Sequence, residues 1–268
     1  MGGFFLRCRG RLAALCLLAA WPLHAGAGGF DAASFERWVT ARAGSGEPVY
    51  WYSEGTVSEF PEGTALVRME GFDAARLVWP DRSVNKAYQL SRKIYVFRDM
   101  ETGEILETFN GRPATQVRFP YQYITYELQG DQLVTTLEQG AGRSFLRIGP
   151  SSGITVRRLG NTFAFTAPLF LDIDGPPGIK RTVFENYDFF IQPDAEDPRE
   201  QFQLSWLRYS KYGEFSEAPS IWHMVSWRVD RFEDLPEAMR DLVEDDAGLW
   251  RAPPENLAEI RRLQQPDG

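Results

Sequence analysis

Residues 121–139 read YQYITYELQGDQLVTTLEQ, two runs rich in Tyr, Ile, Thr, Val and Leu on either side of Gly130-Asp131. β-Branched and aromatic side chains suit a pleated, half-buried surface, and a two-residue break containing glycine supplies the positive φ of a tight turn. The stretch predicts an antiparallel hairpin, 121–129 against 132–139. The same grammar extends in both directions, with strand-like runs at 49–60, 65–79, 87–99, 155–159, 162–171, 181–191, 201–211 and 220–230. Thr102-Gly103 after Asp99 reads as a second hairpin turn, leading into 104–109. Helical periodicity is confined to the margins, at 31–43, 235–244 and 254–263, the last with a Pro-Pro start.

Consecutive strands without intervening helices cannot form a parallel sheet, because parallel pairs need long crossovers. The expected fold is mainly β, a single antiparallel meander closing into a barrel-like, lipocalin-style domain with short helices at both termini. Closure removes exposed edges and leaves room for a ligand. A two-layer β-sandwich is the alternative. The Gly/Pro-rich segment 172–178 is short and flanked by strand-like sequence, so it reads as a long loop within one domain. The expected domains are a leader at 1–27, one β domain at 28–232 and a helical tail at 233–268 packed on it.

The leader is read from Arg7, Arg9 and Arg11 ahead of an apolar run at 12–23 and the small residues Ala25-Gly26-Ala27. That order is a secretory signal peptide, the run being about half of the ~20 residues a spanning helix needs. A retained membrane anchor and lipoprotein processing at Cys16 are the alternatives. Leu15 is too large for the small residue that lipoprotein processing favours. Cleavage after Ala27 gives an exported protein, periplasmic or secreted, with no integral membrane segment and neither Cys8 nor Cys16. It also removes three arginines and no acids, so the net charge of −8 becomes more negative and nucleic acid is not an expected partner.

Several motifs in order, Trp51 with Gly55, Glu70-Gly71 with Arg76, and Arg92 through Tyr95 and Asp99 to Thr102-Gly103-Glu104, resemble the bacterial family known as domain of unknown function 1838. Asp188-Phe189-Phe190, Ser205-Trp206 with Arg208, Ser226-Trp227 and Leu235-Pro236 continue the likeness. Tyr209-Ser210-Lys211-Tyr212-Gly213 departs from the tryptophans and prolines that the family carries after Arg208. The resemblance implies the β fold and no particular reaction. If the departing segment lines a pocket, it implies a ligand different from that of closer members.

Elimination narrows the chemistry. With His24 in the leader, His223 is the one histidine left, so Cys–His pairs and His-rich metal sites are excluded. Neither a Gly-x-Ser-x-Gly elbow nor a phosphate-cradling glycine motif is present, and no cofactor or metal is expected. Asp172, Asp174, Asp194, Glu196 and Asp197 read as solvated acidic loops, since Pro176-Pro177 breaks calcium-loop spacing. What remains is carboxylates, arginines, tyrosines and tryptophans. Alternation puts Arg181, Val183, Glu185, Tyr187 and Phe189 on one face and Phe184, Asn186, Asp188 and Phe190 on the other. Phe202, Leu204, Trp206 and Arg208 share a face of the next run.

The candidate ligand contacts are Trp51, Glu54, Glu70, Arg76, Arg92, Trp206, Arg208 and Trp227, and the candidate catalytic groups are Glu185, Asp188, Tyr209 and His223. Charges on apolar strands must find partners or reach water, so they serve either as internal struts or as the polar patch of an aromatic cavity. The leading expectation is a non-enzymatic carrier or sensor of a small, largely apolar molecule. An acid–base enzyme using a carboxylate with Tyr187, Tyr209 or His223 is second, and a scaffold acting through the C-terminal helices is third.

Overall fold

The computed structural model describes residues 29–141, 144–174, 180–211, 214–244 and 247–265. The expected leader 1–27 with Cys8, Cys16 and His24, the 175–178 part of the Pro-rich loop, and Tyr212-Gly213 lie outside these. Helix α1 spans Ala32–Ala43 and is followed by β1 Val49–Glu59, β2 Ala65–Asp81 and β3 Lys86–Arg98. A small hairpin, β4 Thr108–Phe109 and β5 Arg112–Pro113, precedes β6 Val117–Gln129, β7 Gln132–Ala141, β8 Ser144–Ser152 and β9 Thr155–Leu159. Strands β10 Thr162–Asp174 and β11 Lys180–Ile191 lead through α2 Pro198–Gln201 to β12 Phe202–Ser210 and β13 Ser220–Val229. Helices α3 Glu237–Asp241, α4 Ala247–Trp250 and α5 Leu257–Gln264 end the described chain.

Eleven strands form one antiparallel sheet in the order β8-β7-β6-β3-β2-β1-β13-β12-β11-β10-β9, curled into a half-barrel. The first and last strands pair at its centre, from Tyr50 opposite Val229 to Glu59 opposite Ser220. The middle of the sequence supplies both edges. A single sheet replaces the sandwich alternative, and the barrel-like expectation stands. Gly130 takes φ +64° between β6 and β7, as the hairpin reading requires. The second hairpin is shorter than expected. Asp99 Oδ1 accepts from the backbone of Glu101 and Thr102 and Gly103 turns the chain, but after one bridge between Arg98 and Ile105 the arm peels off into β4 and β5.

Side chains from opposite arms of the curl meet across the concave side. Trp51 of β1 lies edge-on to Phe189 of β11, and Phe97 of β3 to Trp222 of β13. Helix α1 fills one end of this concavity, and the reason is its sequence. Asp31 caps it by accepting from the Ser34 amide at 2.8 Å, and Phe35, Trp38, Val39 and Arg42 fall on one stripe that packs into the core. Gly44 ends it at φ +80°, where a Cβ would stand 2.6 Å from the Glu47 carbonyl, so only glycine makes this turn into β1. A second concave cluster, Val57, Val67, Met69, Tyr95, Phe97, Phe215, Trp222 and Met224, fills the other end.

The convex side is covered as well. Tyr50, Tyr52, Phe72, Ile94 and Val96 pack beneath Phe232, Leu235, Met239, Val243 and Trp250. Ile260 of α5 is buried against Leu90 and Tyr121. The C-terminal segment thus forms a second layer packed on the domain. Among the described residues no helix is long and apolar enough to cross a membrane.

Candidate functional site

Between the α1 end and the Phe215 end of the concavity lies a cavity of about 280 Å³. Trp51, Tyr95, Phe119, Tyr187, Trp206 and Trp222 form its aromatic wall, with Met69 and Met224 between them. Polar groups enter at separate points, namely Arg42, Ser53, Asp73, Lys93, Gln122, Gln139, Glu185, Arg208, Glu214 and Ser226. A smaller cavity of about 90 Å³ shares Arg42, Leu137, Leu169 and Tyr187 with the first. Apolar walls with a few convergent polar groups are the usual make-up of a small-molecule site.

Strand parity decides which sequence candidates arrive here. In β1, β2, β3 and β11 the odd-numbered residues face the concavity, and in β12 and β13 the even-numbered ones do. Trp51, Glu185, Trp206 and Arg208 therefore meet at the cavity. Glu54, Glu70, Arg76, Arg92 and Asp188 are even residues on odd-inward strands, and Tyr209, His223 and Trp227 are odd residues on even-inward ones. None of these eight lines the cavity. One residue of alternation sends each side chain to the opposite face.

On the convex side the charges act as struts. Glu70 accepts from the Tyr52 hydroxyl at 2.7 Å and from Arg98 Nε at 2.6 Å. Glu54 is exposed, with the Tyr52 hydroxyl 3.4 Å away. Arg92 donates to the Pro120 and Ala252 carbonyls and to Glu259, holding the C-terminal segment down. Arg76 reaches the Gly46 carbonyl at 3.5 Å, Trp227 lies edge-on to Tyr52, and Tyr209 edge-on to Phe60. His223 is exposed and shares a 3.1 Å hydrogen bond with Ser205 Oγ, while Asp188 accepts from Thr166 and Asn186 instead. These three groups are neighbours without the carboxylate–imidazole contact that a Ser–His–Asp relay needs.

Inside, Glu185 is almost fully enclosed. Arg208 grips it through Nε at 2.8 Å and Nη2 at 2.6 Å, Tyr187 donates at 2.7 Å, and the Trp206 indole N–H approaches at 3.3 Å. Burial pushes its pKa up, but the charge of Arg208 and these donors outweigh that and hold it below the ordinary 4.5. The same burial, with Glu185 beside it, raises the Tyr187 hydroxyl well above the ordinary tyrosine value. Glu185 is thus a saturated carboxylate at the wall, poorly placed to take a proton. The Glu185–Arg208 pair also keeps Tyr187 and Trp206 in fixed orientations.

Most polar cavity groups carry no sequence nomination, and four of them shape the site. Asp73, on β2, lies 3.4 Å from Lys93 Nζ through Oδ2, while its buried Oδ1 has no hydrogen-bond partner among the described residues. Tyr95, which bonds Ser53 at 3.0 Å, is raised well above its ordinary value by burial and then by Asp73. Its ring lies over Gly71, whose Cβ would stand 2.5 Å from it and 2.2 Å from the Ile94 carbonyl. Ser53 continues to Ser226 at 2.7 Å. Arg42 is the fourth, and its signal was in plain view: an arginine at the i+7 place of an apolar stripe that begins at Phe35. Burial works against its charge, but the nearby oxygens of Tyr126, Asp73 and Tyr187 outweigh that and keep it ionised.

Comparison with family models, curated proteins and solved structures finds no match to this chain. The likeness to the domain of unknown function 1838 family stands as an expectation from its motifs, several of which the fold explains locally. Gly71 makes room for Tyr95, and Asp99, Thr102 and Gly103 build one turn.

Proposed function

We propose that this chain is an exported, non-enzymatic carrier or sensor that holds one small, largely apolar molecule on the concave side of its half-barrel. The observation that carries this reading is the 280 Å³ cavity with six aromatic side chains in its wall and polar groups at a few fixed points. Rings supply contact area at little entropic cost, and the fixed polar points supply orientation. The test is to incubate the purified full chain with cell extract, re-purify it, and identify by mass spectrometry what stays bound. Retention of one organic molecule, displaced when Leu169→Trp fills the shared wall, is the expected result. A chain that retains nothing at any protein concentration rules the carrier out.

An acid–base enzyme is the second reading, and Asp73 favours it, because its Oδ1 is buried, has no partner among the described residues and opens beside Tyr95 and Lys93. If fresh protein converts the retained molecule and Asp73→Asn binds it without converting it, this reading displaces the first.

A further inference from the structure

Arg42 is 8% exposed, and its side chain lines both cavities at their junction. Its backbone is held from three directions. The Trp51 indole donates to the Arg42 carbonyl at 2.9 Å, Arg228 donates to the carbonyls of Thr40 and Ala41, and Gly44 closes the helix onto the Thr40 carbonyl. The guanidinium lies 5.2 Å from the Phe189 ring and 6.0 Å from the Tyr187 ring. Among the described residues no carboxylate comes within ion-pair distance of it. Asp73 acts on it from farther off, and Lys93 already engages that group. Glu185 is taken by Arg208, on which Glu214 also acts, and among the described residues no ion pair of the wall includes Arg42. The Tyr126 hydroxyl donates its own proton to Gln89 at 2.8 Å, and its oxygen accepts from the Arg42 guanidinium.

An enclosed cation held only by hydroxyls and by a carboxylate it shares with Lys93 is costly, and one on a packed apolar stripe would be replaced by Met or Leu if packing were its only task. We infer that Arg42 is the anion-recognition group of the cavity, and that the ligand is a small organic acid with a flat apolar body and one carboxylate. This rests on the ligand-chamber reading above and sharpens it. A planar guanidinium fork matches a carboxylate in two parallel hydrogen bonds. A single negative charge fits better than a phosphate dianion, because Asp73, Glu185 and Glu214 already bring negative charge to the same wall. With the carboxylate at the junction, the body of the ligand extends along Tyr187, Trp206 and Trp51 into the larger chamber.

The test uses three probes of one shape, 2-naphthoate, 2-naphthamide and 2-naphthyl phosphate, titrated calorimetrically into the full chain. The naphthoate is expected to bind about tenfold to a hundredfold more tightly than the amide, the span of one to two charge-assisted hydrogen bonds. Arg42→Gln is expected to abolish that preference while leaving amide binding, and Arg42→Lys to restore part of it. Equal binding of naphthoate and amide by the wild type overturns the anion assignment and leaves the chamber standing. So does a preference that survives in Arg42→Gln. Tighter binding of the phosphate overturns the carboxylate assignment. Failure of all three probes overturns the chamber and the inference together. The wild-type comparison needs no variant, so poor folding of Arg42→Gln does not blunt the test.

Discussion

The two faces of the central strands carry similar residues and put them to different use. On the convex face of β1–β3, Glu70 and Arg98 neutralise one another and Arg92 is consumed by Glu259 and two carbonyls beneath the C-terminal segment. On the concave face the pairs Glu185–Arg208 and Asp73–Lys93 stand around space, and Arg42 makes no ion pair among the described residues. A strut ends in closed pairs under a layer of side chains, whereas a ligand site leaves an accessible remainder. Charge on an apolar strand does not itself distinguish them, and what lies opposite does.

The sharpest way to break this contrast is at Glu185. Glu185→Gln leaves Arg208 enclosed without its carboxylate and is expected to cost about 3–5 kcal/mol in urea unfolding, against much less for the double variant with Arg208→Met. The pH dependence has a definite sign. The folded pKa lies below the ordinary 4.5, so the wild type keeps the pair's contribution above 4.5 and loses it as pH falls through the folded value; the variant should lack that acid limb. Tyr95 and Tyr187 act at the other end. Their folded pKa values are raised, so their contribution is intact below the ordinary 10.0 and is lost as pH climbs past it.

On the convex face, Arg92→Met should cost about 1.5–3 kcal/mol and expose residues 253–265 to limited proteolysis, with naphthoate binding unchanged. A loss of binding would move Arg92 back into the site. Gly71→Ala pushes a methyl into the Ile94 carbonyl and the Tyr95 ring, and about 1–3 kcal/mol of destabilisation is expected by thermal unfolding, with weakened probe binding because Tyr95 must move. The smallest effect belongs to His223→Ala. His223 is exposed on the far side of the sheet, so stability should shift by no more than about 0.5 kcal/mol and binding not at all.

The strands were legible because β-branched and aromatic runs between turn residues have one physical interpretation, and 155–159 agrees with β9 to the residue. Strand β8 was not read. Its Gly149-Pro150 breaks the pattern, and it is tolerated because β8 is an edge strand whose register shifts between Thr135 and Leu137 opposite that pair. Alternation in 181–191 correctly grouped Glu185, Tyr187 and Phe189, but parity within one strand cannot say which face is concave. That depends on how eleven strands curl together, and it is why Glu54, Glu70, Arg76 and Arg92 were grouped with Trp51. Arg42 is hidden for a different reason: it sits on a helix that enters the concavity, and a stripe of buried helical positions reads as packing rather than as a site.

The most direct measurement is a crystal structure of the full chain grown with 2-naphthoate. The expected result is the probe on the concave side, its carboxylate bidentate to Arg42 and its rings against Tyr187 and Trp206, with Arg92 and Glu259 undisturbed on the far face. A concavity filled by side chains, or a probe seated on the convex face among Glu70, Arg76 and Arg92, would contradict it.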